Sequence, residues 1–134
     1  SQPQNARLVK VDLATGQLRW SVPCERTDSI PVIADKWVYL SGGINGFAGS
    51  AARVQAFEQV GNTALLRWDT YTDTAGGLNV GGWATQPAYC KGFLYVGAPG
   101  QTGEFPDYQA MMILDTRYTP SQSGFVHFLR KGRG

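Results

Sequence analysis

Apolar and polar residues alternate along this chain in short runs of β-branched and aromatic side chains, broken by Gly, Pro, Asn and Asp clusters. Almost no stretch carries a helical period, so the pattern predicts many short strands joined by tight turns. RLVKVDL (7–13) and QLRWSV (17–22) read as two strands joined at Ala-Thr-Gly, with Val9, Val11 and Leu13 on one face. In SIPVIADKWVYLSGG, the runs SIPVI and WVYLS form a hairpin around Asp35-Lys36. After a Gly-rich loop come RVQAFEQ and, past a turn at Gly61-Asn62, ALLRWDT.

The order then starts again. TQPAYCKGFLYVGA (85–98) repeats the hairpin: Pro87 answers Pro31, Tyr95 answers Tyr39, and Lys91-Gly92 answers Asp35-Lys36. MMILDTRYTPSQSGFVHFLR supplies the third and fourth strands of that unit. Trp20 and Trp68 are 48 residues apart, and Tyr39–Tyr95 and Pro31–Pro87 are each 56 apart, a period close to that of propeller blades, with loop length explaining the spread. The expected fold class is therefore all-β, a β-propeller segment of about two and a half four-stranded antiparallel blades. Its expected divisions are a frayed N-terminus (1–6), the second half of a blade (7–22), two full blades (29–70 and 85–130) and a C-terminal tail (131–134). Half a blade and an open end leave apolar sheet faces bare, so the expected partners are further blades, from a longer chain or from other copies.

The run from Lys10 through Asp12, Thr15 and Gly16 to Trp20 resembles the tryptophan-docking motif of the pyrroloquinoline-quinone (PQQ) type propeller repeat, with Lys10 where Ala is usual. SIPVIADKWVYLSGG and TQPAYCKGFLYVGA are similar to the same family's Pro-Val-aromatic hairpin. The second docking motif keeps Arg67 and Trp68 but loses Thr-Gly; in the third, which has no terminal Trp, Phe125 stands as the substitute. The resemblance implies that Trp20 and Trp68 dock blade on blade, and that the protein works in a periplasmic or extracellular setting. It also raises a piece of a quinoprotein oxidoreductase as the alternative function. Such an enzyme would need a calcium site, an active-site Asp and adjacent cysteines, whereas Cys24 and Cys90 are 66 residues apart.

Composition and charge narrow the functions. The 134 residues carry a formal charge of +2, with basic side chains scattered except for Arg130, Lys131 and Arg133, so no nucleic-acid footprint is present. No apolar run is long enough to span a bilayer, and an export signal would have to lie upstream of SQPQNARLVK. The two cysteines fit no metal-ligand spacing; they read as small buried hydrophobes or, as the minority case, as a disulfide. Gly43, Gly46 and Gly49 miss the dinucleotide spacing and precede a strand, so that stretch and TAGGLNVGGWATQP read as blade-connecting loops. His127, the one histidine, lies in an alternating strand, and Asp12, Asp35 and Asp115 sit at turns or strand ends. No catalytic residue, metal site or cofactor is expected. The remaining clue is aromatic: Phe47, Trp83, Phe105 and Tyr108 fall in loops among Gly, Gln, Asn and Asp, a composition suited to a glycan or peptide ligand. The expected role is a non-catalytic binding or scaffolding module, possible completion by self-assembly included.

Overall fold

Alternating runs become strands in all three sheets, although at SIPVI only Val32 and Ile33 are strand, which runs on to Ala34. A computed structural model describes residues 6–44, 51–74, 77–78, 80–83, 85–97 and 111–129, and among these there is no helix. The first sheet pairs β1 (Arg7–Val11) with β2 (Leu18–Pro23). The second comprises β3 (Val32–Ala34), β4 (Trp37–Gly42), β5 (Arg53–Val60) and β6 (Thr63–Asp69) in sequence order. The third repeats that order with β7 (Ala88–Cys90), β8 (Phe93–Gly97), β9 (Met111–Asp115) and β10 (Val126–Leu129). All pairings are antiparallel.

Turn chemistry fixes the registers. Asp35 (φ 56°) and Lys91 (φ 49°) take the left-handed conformation that a two-residue hairpin loop requires, and the hairpins they close have the same register: Val32 opposite Tyr39, Ala88 opposite Tyr95. β1 ends at Val11 because the Asp12 carboxylate accepts the Ala14 and Thr15 N–H groups, bending the chain toward Gly16 (φ 73°).

The sheets stack face to face, β2 against β6 and β3 against β7, so strands of equal rank lie over one another. Between the first and second sheets Leu8, Trp20, Val38, Leu40, Phe57 and Ala64 form one apolar seam. Between the second and third, Tyr39, Val54, Ala56, Trp68, Val80, Leu94, Val96, Leu114 and Phe125 form the other. The second sheet thus buries both faces, as β4 and β5 anticipate with their unbroken buried runs. Each large side chain sealed in a seam contributes on the order of 1.5–3 kcal/mol.

Val9, Val11 and Leu13 are exposed, and β1 buries Leu8, because the register places Leu8 with Trp20 on the side toward the second sheet. Two sequence expectations are corrected. Phe125 does not take the tryptophan's place. His127 stands opposite Ile113 as Trp68 stands opposite Ala56, while Phe125 lies two residues earlier, inside the seam, its ring edge-on to Trp68 at 5.0 Å. Both cysteines are free, and Cys90, on the edge strand β7, is exposed rather than buried, with Cys24 half-buried beside the first seam.

Candidate functional site

The turns between strands divide the molecule into two rims. One, the short-turn rim, carries the connections at 12–17, 35–36, 61–62, 91–92 and 116–125, four of them of six residues or fewer. The other, the long-connection rim, carries 24–31 and the strand ends at which the β4–β5, β6–β7 and β8–β9 connections begin and end. Of the aromatic candidates, Trp83 belongs to the long-connection rim; Phe47, Phe105 and Tyr108 lie outside the described residues, in segments whose flanking strand ends face that same rim.

Glycines hold this rim together by letting backbones touch. Gly43 (φ 84°) sits where an added Cβ would fall 2.0 Å from the Ala51 carbonyl oxygen, and at Gly81 (φ 78°) it would fall 2.4 Å from Ser41 Oγ. Ser41 is wholly buried, and its hydroxyl donates to the Gly82 carbonyl while accepting the Gly82 N–H, both at 2.8 Å. The Gly43 N–H donates to the Arg26 carbonyl (2.8 Å), and the Gly43 carbonyl accepts the Trp83 N–H (3.0 Å). The Trp83 carbonyl accepts the Asp28 N–H at 2.7 Å. Gln86 joins in with its side chain alone, accepting the Ile30 N–H (2.8 Å) and donating to the Ile30 carbonyl (3.0 Å). The segments at 26–30, 41–43 and 81–86 are thereby laced into one platform, and Trp83 is anchored by its backbone while the residue stays 45% exposed.

Beneath the platform lies a buried polar network that the sequence did not announce. Arg53 Nη1 donates to Asp69 Oδ2 at 3.2 Å, and Gln55 Nε2 donates to the same oxygen at 3.1 Å. Gln55 Oε1 accepts the Glu25 N–H at 2.8 Å, and Arg53 also lies 4.9 Å from the centre of the Tyr71 ring. Asp69 Oδ1 accepts the Tyr71 and Thr72 N–H groups, tying the turn after β6 to its base. Leaving such a buried charge without its partner costs on the order of 3–5 kcal/mol, so the network clamps the rim ends of β5 and β6. The Arg-x-Gln alternation of Arg53 and Gln55 in a strand looks like a solvated face, whereas Glu25, whose N–H bonds the Gln55 side chain and whose carboxylate approaches Arg53, helps cover these side chains.

Trp20 and Trp68 occupy equivalent places in successive seams, both buried, Trp68 lying 6.0 Å from the Tyr39 ring. Trp20 also borders a shallow cleft on the short-turn rim of about 570 Å³, lined by Lys10, Asp12, Arg19 and Asn62 among others. Each sheet pairs an acid in its third strand, or just after it, with an arginine: Asp12–Arg19 at 2.6 Å, Glu58–Arg67 at 2.8 Å and Asp115–Arg117 at 2.7 Å. The partners hold all three carboxyls below the ordinary carboxylate range. For Asp12 the Ala14 N–H acts first and Arg19 second, for Glu58 Lys36 precedes Arg67, and for Asp115 Arg117 dominates.

The described residues contain no group of three His, Cys, Asp or Glu able to hold a metal ion. None of their helices could cross a membrane, since they form none. His127 is exposed and meets the edge of Phe93 at 6.5 Å between ring centres. What the rim offers chemically is a partly exposed indole on an anchored backbone, with the Thr27 hydroxyl 3.3 Å from the Trp83 carbonyl, and a flat ring so presented can stack on a ligand. No protein-family model, curated protein or solved structure matches this chain.

Proposed function

We propose that the chain is a non-catalytic binding or scaffolding module made of β-propeller blades of the PQQ-like repeat kind, the first sheet being half of one blade. The observation that carries the reading is a repeated irregularity. The β1–β2 ladder shifts register between Lys10 and Val11, opposite Trp20 and Leu18; the β5–β6 ladder shifts between Ala56 and Phe57, opposite Trp68 and Leu66. The extra residue is an arginine in both, Arg19 and Arg67, and each arginine pairs with the acid one place past the bulge, Asp12 or Glu58. Bulges are local design features rather than accidents, so the same bulge with the same ion pair argues for one repeated unit. Stacking of equal-rank strands, β2 on β6 and β3 on β7, is what adjacent blades require.

In this reading the long-connection rim presents the ligand surface, with Trp83 as its aromatic anchor and a glycan or peptide as the ligand class. The setting is periplasmic or extracellular. The test is a glycan and peptide array probed with the chain and with Trp83→Ala, followed by titration of any hit. Trp83→Ala should abolish the hit while leaving the far-ultraviolet spectrum unchanged. Turnover of a quinone-linked substrate on addition of PQQ and calcium would overturn the non-catalytic reading.

A further inference from the structure

We propose that the free edge of β1 is an acceptor site for a β-hairpin of the same kind as β3–β4, a proposal that rests on the blade reading above. In the second and third sheets the third strand is paired on both sides: β5 between β4 and β6, β9 between β8 and β10. β1 holds the same rank, yet among the described residues it pairs with β2 alone.

The backbone directions show which groups the edge presents. The Cys24 N–H donates to the Ala6 carbonyl (3.1 Å) and the Asp12 N–H to the Gln17 carbonyl (2.9 Å), so the even positions bond toward β2. By antiparallel alternation, the N–H and C=O of Arg7 and Val9 point away from β2, into the open edge. Pro23, which has no N–H to give, stands opposite Arg7, as that alternation allows.

A second observation comes from the sheet beneath. Ile33 pairs with Val38 and so shares its face toward the first sheet; Val38 is buried in the seam, whereas Ile33 is 70% exposed. Its counterpart one repeat later is Tyr89, which stands opposite Leu94 and stacks on Tyr39 at 5.8 Å. Tyr39 belongs to the second strand of a hairpin. The side chain absent above Ile33 therefore has the rank of Tyr39, and the open edge of β1 lies where that hairpin's strand would run. The slot continues the apolar seam of Leu8, Trp20, Val38 and Leu40, so an occupant with β-branched and aromatic residues on one face would extend an interface already present. Strand addition of this kind draws affinity from main-chain hydrogen bonds and selectivity from alternate side chains.

The experiment adds a synthetic peptide copying residues 29–42 to the chain and follows amide hydrogen exchange across residues 6–13 by mass spectrometry. Slower exchange confined to β1 is expected, with affinity reduced by about tenfold or more in Val9→Pro, which removes an outward N–H and no bond to β2. Ile33→Asp should weaken the peptide comparably, and because that side chain is exposed the variant remains folded should Val9→Pro not. Absence of peptide-dependent protection at β1, or unchanged binding in both variants, would overturn the proposal. So would protection of β1 that rises with chain concentration without peptide, which would assign the edge to a second copy. None of these outcomes touches Trp83, so they are separable from failure of the rim-binding test.

Discussion

Replacing Phe125 by alanine tests what seals the third sheet against the second. Phe125 is fully buried, and its ring meets Trp68 edge-on, 5.0 Å between centres at 83°, inside the seam that joins the second and third sheets. Emptying a buried phenylalanine site costs about 3–5 kcal/mol, of which about 0.5–1.5 kcal/mol belongs to the edge-to-face contact. A domain of this size has on the order of 5–15 kcal/mol in all, so the loss should be plain in urea unfolding followed by tryptophan fluorescence and circular dichroism. His127, at the tryptophan's register position, is exposed, and His127→Ala should cost no more than about 0.5 kcal/mol. The two variants thus separate register rank from burial. A cost below about 1 kcal/mol for Phe125→Ala, or an equal cost for His127→Ala, would refute the placement of Phe125 in the seam. A Trp68→Ala/Phe125→Ala double-mutant cycle should return a coupling of about 0.5 kcal/mol or more, as residues in contact do.

Three further outcomes follow from the same structure. Gly43→Ala should cost at least about 3 kcal/mol, because its Cβ would meet the Ala51 carbonyl in a left-handed conformation, while Gly61→Ala, with φ 57° and open space, should cost only about 1–2 kcal/mol; thermal melts of both variants check the contrast. Folded-state depression of the Asp12, Glu58 and Asp115 pKa values means the unfolded chain binds more protons as pH falls through the carboxylate range. Their stabilisation is present above that range and lost as pH drops through the depressed values, and Arg117→Gln should move the acid-unfolding midpoint to higher pH in a pH titration followed by circular dichroism. Burial, helped by the charge of Glu25, pushes the Cys24 thiol up to about 11, so a thiol-reactive chromophore at pH 8 should label exposed Cys90 quickly and Cys24 slowly, and Cys90→Ser should remove the fast phase.

Among the described residues, the sequence by itself determined the ten strands, the turns at Asp35-Lys36, Gly61-Asn62 and Lys91-Gly92, and the all-β class. These are local matters: a period of two and a residue able to take positive φ are readable without knowing what lies across the sheet. The glycine-rich loops were legible as connections, but not the reason for their glycines, which is the approach of Ala51 to Gly43 across the ends of one connection and of Ser41 to Gly81 from a distant segment. For the candidate site, the loop position of Trp83 was legible, whereas its anchoring by Gly43 and Asp28, and the clamp of Arg53, Gln55 and Asp69 below it, depend on partners far along the chain. Val11 and Phe57 state the division most sharply. They hold the same place beside the same bulge in successive sheets, yet Phe57 is 1% exposed and Val11 47%. Alternation puts both on an apolar face, but burial requires another sheet in front of that face, and only the tertiary structure decides which faces have one.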